Sequence, residues 1–385
     1  MARTAFAVVA PGLEPLAAAE LRDIGVADAT TEPGGVAFAH TDETLASSLV
    51  HLRTASRVLV RIVEFRATGF PQLEKRARAI PWSRWVREGS RVRFRVTCKK
   101  SRLYHSDAVA ERLGNSVVAA VTGVTIDDAP RDGTVDDDGN DDAQLFVVRV
   151  FRDVCTISVD ASGEHLHKRG YRLAVAKAPL RETLAAAMLL GAKWDPATPL
   201  CDPMCGSGTI VIEAALMARR IAPGLQRSFA AERWPSANAA VWKRVRERAQ
   251  TDVRPHAHSP LIGSDRDSGA IGAAIANAER AGVANDVAFT VGSVSAVHAP
   301  AESGLFVTNP PFGIRVGENA ALRDLYARFG RVARERFEGW QCAVLSADRS
   351  RGHTLERQLA LPLKPAWQSR NGGIPVRLLV GTITR

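Results

Sequence analysis

The first residues of the chain alternate between two hydrophobic periods. "TAFAVVA" repeats every second position, as a half-buried strand does. "LEPLAAAELRDIG" places its apolar residues at helical spacing, and "GGVAFAH" returns to the strand pattern. A second helix, "ETLASSLVHLRTA", leads into the strand-like "RVLVRIVEF". These elements predict a small α+β module over residues 1–55, running into a second α+β unit over 56–162. In that second unit the strand "RVRFRVTCKK" is followed by the helix "SDAVAERLGNSVVAAVTG", with Ser106 as N-cap and Gly123 as stop. "LFVVRVFRDVCTISVDAS" reads as two strands joined by a tight turn at Arg152-Asp153.

A connector over 163–178 contains "GEHLHKRGYRLAVAKAP". Beyond it the pattern becomes short apolar strands alternating with helices, as in "PLCD", "PLIGSD", "VAFTVG", "GLFVTN" and "CAVLSAD". Continuous short apolar runs between helices specify a parallel, doubly wound α/β sheet for residues 179–385. Near the end, Asn371-Gly372-Gly373 separates two strand-like runs and predicts a hairpin, so an antiparallel strand joins the parallel sheet.

Composition narrows the picture. The 385 residues carry a net charge of +10 and include no apolar run near the length of a membrane span. The opening residues lack the unbroken apolar segment of a secretory signal, and the expectation is a cytoplasmic protein. Five cysteines with no CxxC pair argue against a disulfide framework and a structural zinc, and no metal site is expected.

The charge is unevenly spread. Between His51 and His105 fifteen Lys or Arg face three acids, whereas between Asp127 and Asp142 eight Asp face one Arg. The first segment predicts a polyanion footprint and the second, the acidic loop 127–142, a flexible stretch of repelling charges. Candidate polyanion contacts are Arg95, Lys99, Lys100 and Arg102, with Lys168, Arg169, Tyr171 and Arg172 in the connector. A solvated basic face would look the same.

The chemistry concentrates in three places. In "LCDPMCGSGTIVIEAA" a strand ends at Asp202 and a turn through Gly206, Ser207, Gly208 and Thr209 opens a helix. Such glycines bring backbone N–H groups close to a ligand. Val211 occupies the third glycine position of a dinucleotide fingerprint, and no GK[ST] is present, so neither NAD nor ATP fits well. Asp202 suits an ammonium group, and Asp265, ending the next strand, suits a ribose. The segment between them is longer than the roughly 20 residues of a dinucleotide fold. The excess, an insertion over 221–258, carries Trp234, Trp242 and a run of basic residues; it reads as a helical cover packed by its tryptophans or as an RNA-holding element.

Third, "TNPPFG" ends the fourth strand-like run. The Asn309 side-chain carbonyl and the Pro310 backbone carbonyl could accept both hydrogens of a planar exocyclic amine, while Phe312 stacks on the base. Pro311 completes a corner that cannot extend a ladder.

"DPMCGSGT", "GSDRD" and "NPPFG" in this order resemble a class I S-adenosylmethionine-dependent methyltransferase. "CKKSRLYHSDAVAERL", "HKRGYRLAVAKAPLRETLAAA" and "MARRIAPG" further resemble the THUMP-domain RNA guanine-N2 methyltransferases, especially the bacterial 23S ribosomal RNA branch. The resemblance implies a Rossmann-like domain with a mainly parallel sheet, preceded by ferredoxin-like and THUMP modules that grip RNA. It implies S-adenosylmethionine as cofactor, with Asp202, Gly206 and Gly208 on its methionine part and Asp265 on its ribose. The wider cofactor set is Asp202, Cys205, Gly206, Ser207, Gly208, Thr209, Asp265, Arg266, Ser293 and Asn309. Asn309, Pro310, Pro311 and Phe312 would hold the guanine.

Two residues depart from the family pattern. Ser293 stands where an adenine-contacting Asp is common, and Phe312 where Tyr is common. Ribosomal RNA is favoured over transfer RNA as partner. DNA adenine, a protein glutamine, and a non-catalytic RNA-binding role are the alternatives, and the oligomeric state is left open.

Overall fold

The computed structural model describes residues 4–127, 142–172, 180–312, 319–347 and 355–384. Most of the acidic loop (128–141) and the end of the connector (173–178) lie outside them.

Eight strands form one N-terminal sheet: β1 (Thr4–Val9), β2 (Thr30–Glu32), β3 (Gly35–Ala39), β4 (Ala55–Arg66), β5 (Arg91–Lys99), β6 (Thr125–Asp127), β7 (Gln144–Phe151) and β8 (Val154–Asp160). Their order is β2-β3-β1-β4-β8-β7-β5-β6. β4 pairs with β1 on one side and β8 on the other, so a single sheet and one hydrophobic core run through residues 4–160. The β7–β8 turn has φ of 50° at Arg152 and 65° at Asp153, the doubly left-handed conformation of a two-residue hairpin turn. Ser106 is not the N-cap of its helix. The helix spans Ser106–Ala120 with His105 as the cap residue and no side-chain cap bond, and the Ser106 hydroxyl faces Asp107 instead.

The second sheet comprises β9 (Leu200–Asp202), β10 (Leu261–Asp265), β11 (Val287–Val291), β12 (Leu305–Thr308), β13 (Gln341–Ala347), β14 (Lys364–Asn371) and β15 (Ile374–Thr382). Its order is β11-β10-β9-β12-β13-β15-β14. The first five strands are parallel, and β15 is antiparallel to both its neighbours. The antiparallel strand is therefore last in the chain but interior in the sheet, because the hairpin at Gly372 (φ 54°) and Gly373 (φ 86°) folds β15 back between β13 and β14. No helix among the described residues is long and apolar enough to cross a membrane.

The insertion joins the two halves. Its helix Ala239–Thr251 packs on the N-terminal helix Asp42–His51, and Trp234 and Trp242 are buried in the N-terminal core, not in the sheet of their own half. The Trp234 indole N–H donates to Gln144 Oε1 at 2.7 Å, and Trp242 stacks on Phe229 with centroids 5.7 Å apart. Arg246 donates to the carbonyls of Leu225 and Arg227 and pairs with Glu232, closing the insertion on itself. The tryptophan-packed cover is thus a bridge between the two sheets.

Candidate active site

Parallel strands end on the same edge of a sheet, and the order β11-β10-β9-β12 aligns the residues after their C-terminal ends. Along that edge stand Ser293, Asp265, Asp202 and Asn309. Successive strands step outward in opposite directions from β9, which makes the β9–β12 boundary the switch point where such sheets bind ligands.

Asp202 is buried, and its Oδ1 accepts the Met204 N–H at 3.1 Å. Burial pushes its carboxyl up to about 7; the Met204 N–H opposes that shift, and the Asp265 charge adds to it. The turn that follows needs left-handed backbone at Gly206 (φ 53°) and Gly208 (φ 80°). A Cβ at Gly208 would stand 2.8 Å from Phe289, whereas one at Gly206 would meet nothing within 4 Å. Gly208 is thus a packing glycine that also caps the helix Thr209–Ala218, while Gly206 borders open space.

Asp265 accepts the Gly206 N–H through Oδ2 and the Asp267 N–H through Oδ1, both at 3.0 Å. Asp267 in turn caps the helix Ser268–Arg280. Cys205 is buried, its amide donates to Ser264 O at 3.0 Å, and burial raises its thiol far above the ordinary range. Ser207 presents its carbonyl to Asn277, and Thr209 is buried in the first helical turn. Arg266 and Ser293 are exposed at the rim.

Asn309 Oδ1 is buried and has no hydrogen-bond partner among the described residues. An unpaired buried acceptor costs about 1–3 kcal/mol, so this is a group that a ligand donor would satisfy. Pro310 is buried, Pro311 exposed, and Phe312 is half-buried against the core of the C-terminal half. The Pro311 carbonyl accepts the Tyr326 hydroxyl from the helix Asn319–Arg336. Tyr326, 15 residues downstream, anchors the corner, and nothing in its sequence neighbourhood signals that role.

One observation tests the fit of S-adenosylmethionine. The open side of Gly206 adjoins Asp265, with Asp202 close enough to feel its charge, so two acids border space beside a glycine turn. The residues fit.

The basic candidates divide. Lys99, Lys100 and Arg102 are exposed where β5 ends, and Arg95 is half-buried within β5. Lys168 pairs with Glu164 at 3.4 Å. Arg169, Tyr171 and Arg172 turn inward, contrary to the expectation of a surface contact. Arg169 and the Tyr171 hydroxyl converge on Glu213, which is 0% exposed, at 3.2 and 3.1 Å, and Arg172 pairs with Glu182 at 3.1 Å. A fully buried carboxylate must be paired, and these residues pair it. Burial also lifts Glu182 to about 7, against the pull of Arg172.

Sequence reasoning missed the aromatic part of the exposed patch. Tyr104 is 69% exposed with its ring 4.0 Å from that of His105, and the Phe151 ring has the guanidiniums of Arg149 and Arg152 each 5.2 Å from its centre. The Arg152 amide donates to Lys99 O, so these groups share one end of the sheet.

The family model for the RMKL-like methyltransferase domain matches residues 169–373, and that for the RlmL ferredoxin-like domain matches residues 4–59. Over 378 residues the chain is 33% identical to a Synechocystis protein named "Putative RNA methyltransferase slr0064", covering 98% of this chain and 96% of that one. It is 37% identical to the ribosomal RNA large subunit methyltransferase K/L of Syntrophotalea carbinolica, covering 97% of this chain but 53% of that protein, about half its length. The crystal structure of SMU.472 with S-adenosylhomocysteine superposes with a TM-score of 0.85 at 28% identity, covering 100% of this chain and 98% of that one. From the sheet order, the acids on its edge and these matches, the chain belongs to the RMKL-like methyltransferase family and uses S-adenosylmethionine.

Proposed function

We propose that the chain methylates the exocyclic N2 amine of a guanine in RNA, ribosomal RNA in preference to transfer RNA. The observation that carries this reading is the buried Asn309 Oδ1 with no donor, at the end of the strand beside Asp202. An aromatic amine is a weak nucleophile because its lone pair is delocalised into the ring. With Asn309 Oδ1 and the Pro310 carbonyl accepting its two hydrogens, the amine is held with its lone pair directed out of the base plane. Phe312 stacks on the base, and the Tyr326 bond to Pro311 keeps the corner from yielding when the base enters. Asp202 takes the ammonium of the cofactor and Asp265 its ribose hydroxyls. Bound there, S-adenosylmethionine supplies a methyl group on a positively charged sulfur. What the protein adds is chiefly positioning.

The basic, aromatic surface around Lys99, Lys100, Arg102, Tyr104 and Phe151 supports RNA as the substrate, since phosphates meet cations while bases meet rings. The relatives' names point the same way.

The test is transfer of labelled methyl groups to separated, unmodified ribosomal and transfer RNA, followed by nucleoside analysis, with Asn309→Ala alongside. N2-methylguanosine in ribosomal RNA, lost in the variant while cofactor affinity holds, is the expected result. Label in adenine of DNA or in a protein glutamine, with none in RNA, would overturn the reading.

A further inference from the structure

A groove of about 380 Å³ lies far from the methyl-transfer residues in sequence, between β4, the segment after the helix Phe70–Arg78, and the insertion. Its lining includes Val60, Ile62, Arg76, Arg84, Trp85 and Trp242. β4 is irregular here. Its pairing with β8 shifts register between Arg61 and Val63, a bulge of the kind that accompanies functional sites.

The insertion forms one side. Ser236 donates to Arg84 O through both its amide and its hydroxyl, at 3.3 and 2.9 Å, so the methyltransferase half holds this groove in place on the N-terminal half. Trp242 is buried, whereas Trp85 is only partly so, and the Arg84 guanidinium lies 5.7 Å from the Trp85 ring centre. Arg61 is engaged by Glu32 at 2.7 Å. Arg76 and Arg84 are exposed, and neither forms an ion pair among the described residues.

We propose that this groove holds an unpaired nucleotide of the RNA substrate, its base stacked on Trp85 and its phosphates at Arg76 and Arg84. The inference rests on RNA being the substrate. Three features favour this occupant. A ring beside two guanidiniums that form no ion pair among the described residues, one of them resting against that ring, is an arrangement that binds single strands, base to ring and phosphate to cation. The volume suits about one nucleotide and excludes a duplex. Finally, β4 continues from Val63 to Arg66, whose guanidinium is 3.8 Å from Asp153 in the turn that also carries Arg152. At about 3.3 Å per residue the groove and the basic patch lie roughly 10 Å apart along one strand, within reach of a single RNA chain.

The experiment measures binding of a short unstructured oligouridine and of an RNA hairpin by fluorescence anisotropy over a range of salt. It compares the wild-type chain, the double variant Arg76→Gln/Arg84→Gln, and Trp85→Leu, which keeps apolar bulk without the ring. Cofactor affinity, methyl transfer and far-UV circular dichroism are read on the same samples. The double variant is expected to bind oligouridine about tenfold more weakly, with a log–log salt slope smaller by about 1.4 for two lost phosphate contacts on a single strand. Trp85→Leu is expected to lose about tenfold with its slope unchanged, as when one stacked base is removed. Cofactor affinity stays the same in both.

Variants that fold and bind oligouridine like the wild type, while the wild type methylates RNA, would overturn the groove and leave the function standing. So would competition by polyglutamate as strong as that by RNA, which would mark a site for an acidic protein. A change in oligomeric state without a change in RNA affinity would mark an interface between copies and overturn it too. A wild-type chain that methylates no RNA would remove the functional reading, and the groove proposal with it.

Discussion

The Gly206 amide donates to Asp265 Oδ2 at 3.0 Å, joining the glycine turn after β9 to the carboxylate that ends β10. The acid assigned to the ribose therefore also orients the loop assigned to the methionine part. Removing it should damage both. Asp265→Ala is expected to weaken S-adenosylmethionine about tenfold to a hundredfold, the scale of a charge-assisted hydrogen bond, and to leave RNA affinity unchanged. Isothermal titration calorimetry checks this, and an unchanged affinity would remove Asp265 from the site.

Asp202 makes cofactor binding depend on pH. Its carboxyl is raised to about 7 mainly by burial, yet pairing with an ammonium needs the ionised form. Between pH 5.5 and 7.0, below the titration of the cofactor's own amine, affinity is expected to rise about tenfold. Asp202→Asn should bind weakly and without that slope. For stability the sign is opposite. A carboxyl raised when folded keeps a proton that the unfolded chain releases, so the contributions of Asp202 and of Glu182, also raised to about 7, are full below about pH 4 and are lost as pH rises through 7. Urea unfolding of the cofactor-free chain across this range measures the loss, and Asp202→Asn should reduce it.

Glu213 ties the cofactor helix to Arg169 and Tyr171, with Arg53 at 4.0 Å. Glu213→Ala strands a buried guanidinium and is expected to cost about 3–5 kcal/mol. Glu213→Gln, which still accepts hydrogen bonds, should cost less. Denaturant midpoints compare the two, and equal losses would contradict the pairing argument.

Reversing Lys99 and Lys100 to Glu places acids where phosphates are expected. RNA affinity should fall about tenfold or more at low salt, with the deficit shrinking as salt rises, while cofactor affinity is untouched. An unchanged titration would remove both lysines from the footprint.

Much of the candidate site was legible because each motif announces a local backbone need. A strand that stops at an acid, glycines where the chain must turn left-handed, and a proline corner are all written in adjacent residues. The hairpins at Arg152-Asp153 and at Gly372-Gly373 were legible for the same reason. Ser106 misled because a cap depends on which residue the helix excludes, and the helix begins at Ser106 itself.

By itself the sequence determined most of the elements, since these follow from spacing over a few residues; the order of its motifs implied the cofactor class by resemblance, and the corner at 309–312 is the reacting site it proposes. Tertiary structure decided which charges are available. Among neighbours in one basic connector, Arg169 is consumed by a carboxylate 44 residues away, as burial demands a partner, while Lys168 remains half-exposed beside Glu164. It also decided where the insertion's tryptophans are buried, because a ring packs against whichever core offers a complementary gap, and that gap was in the other half of the chain.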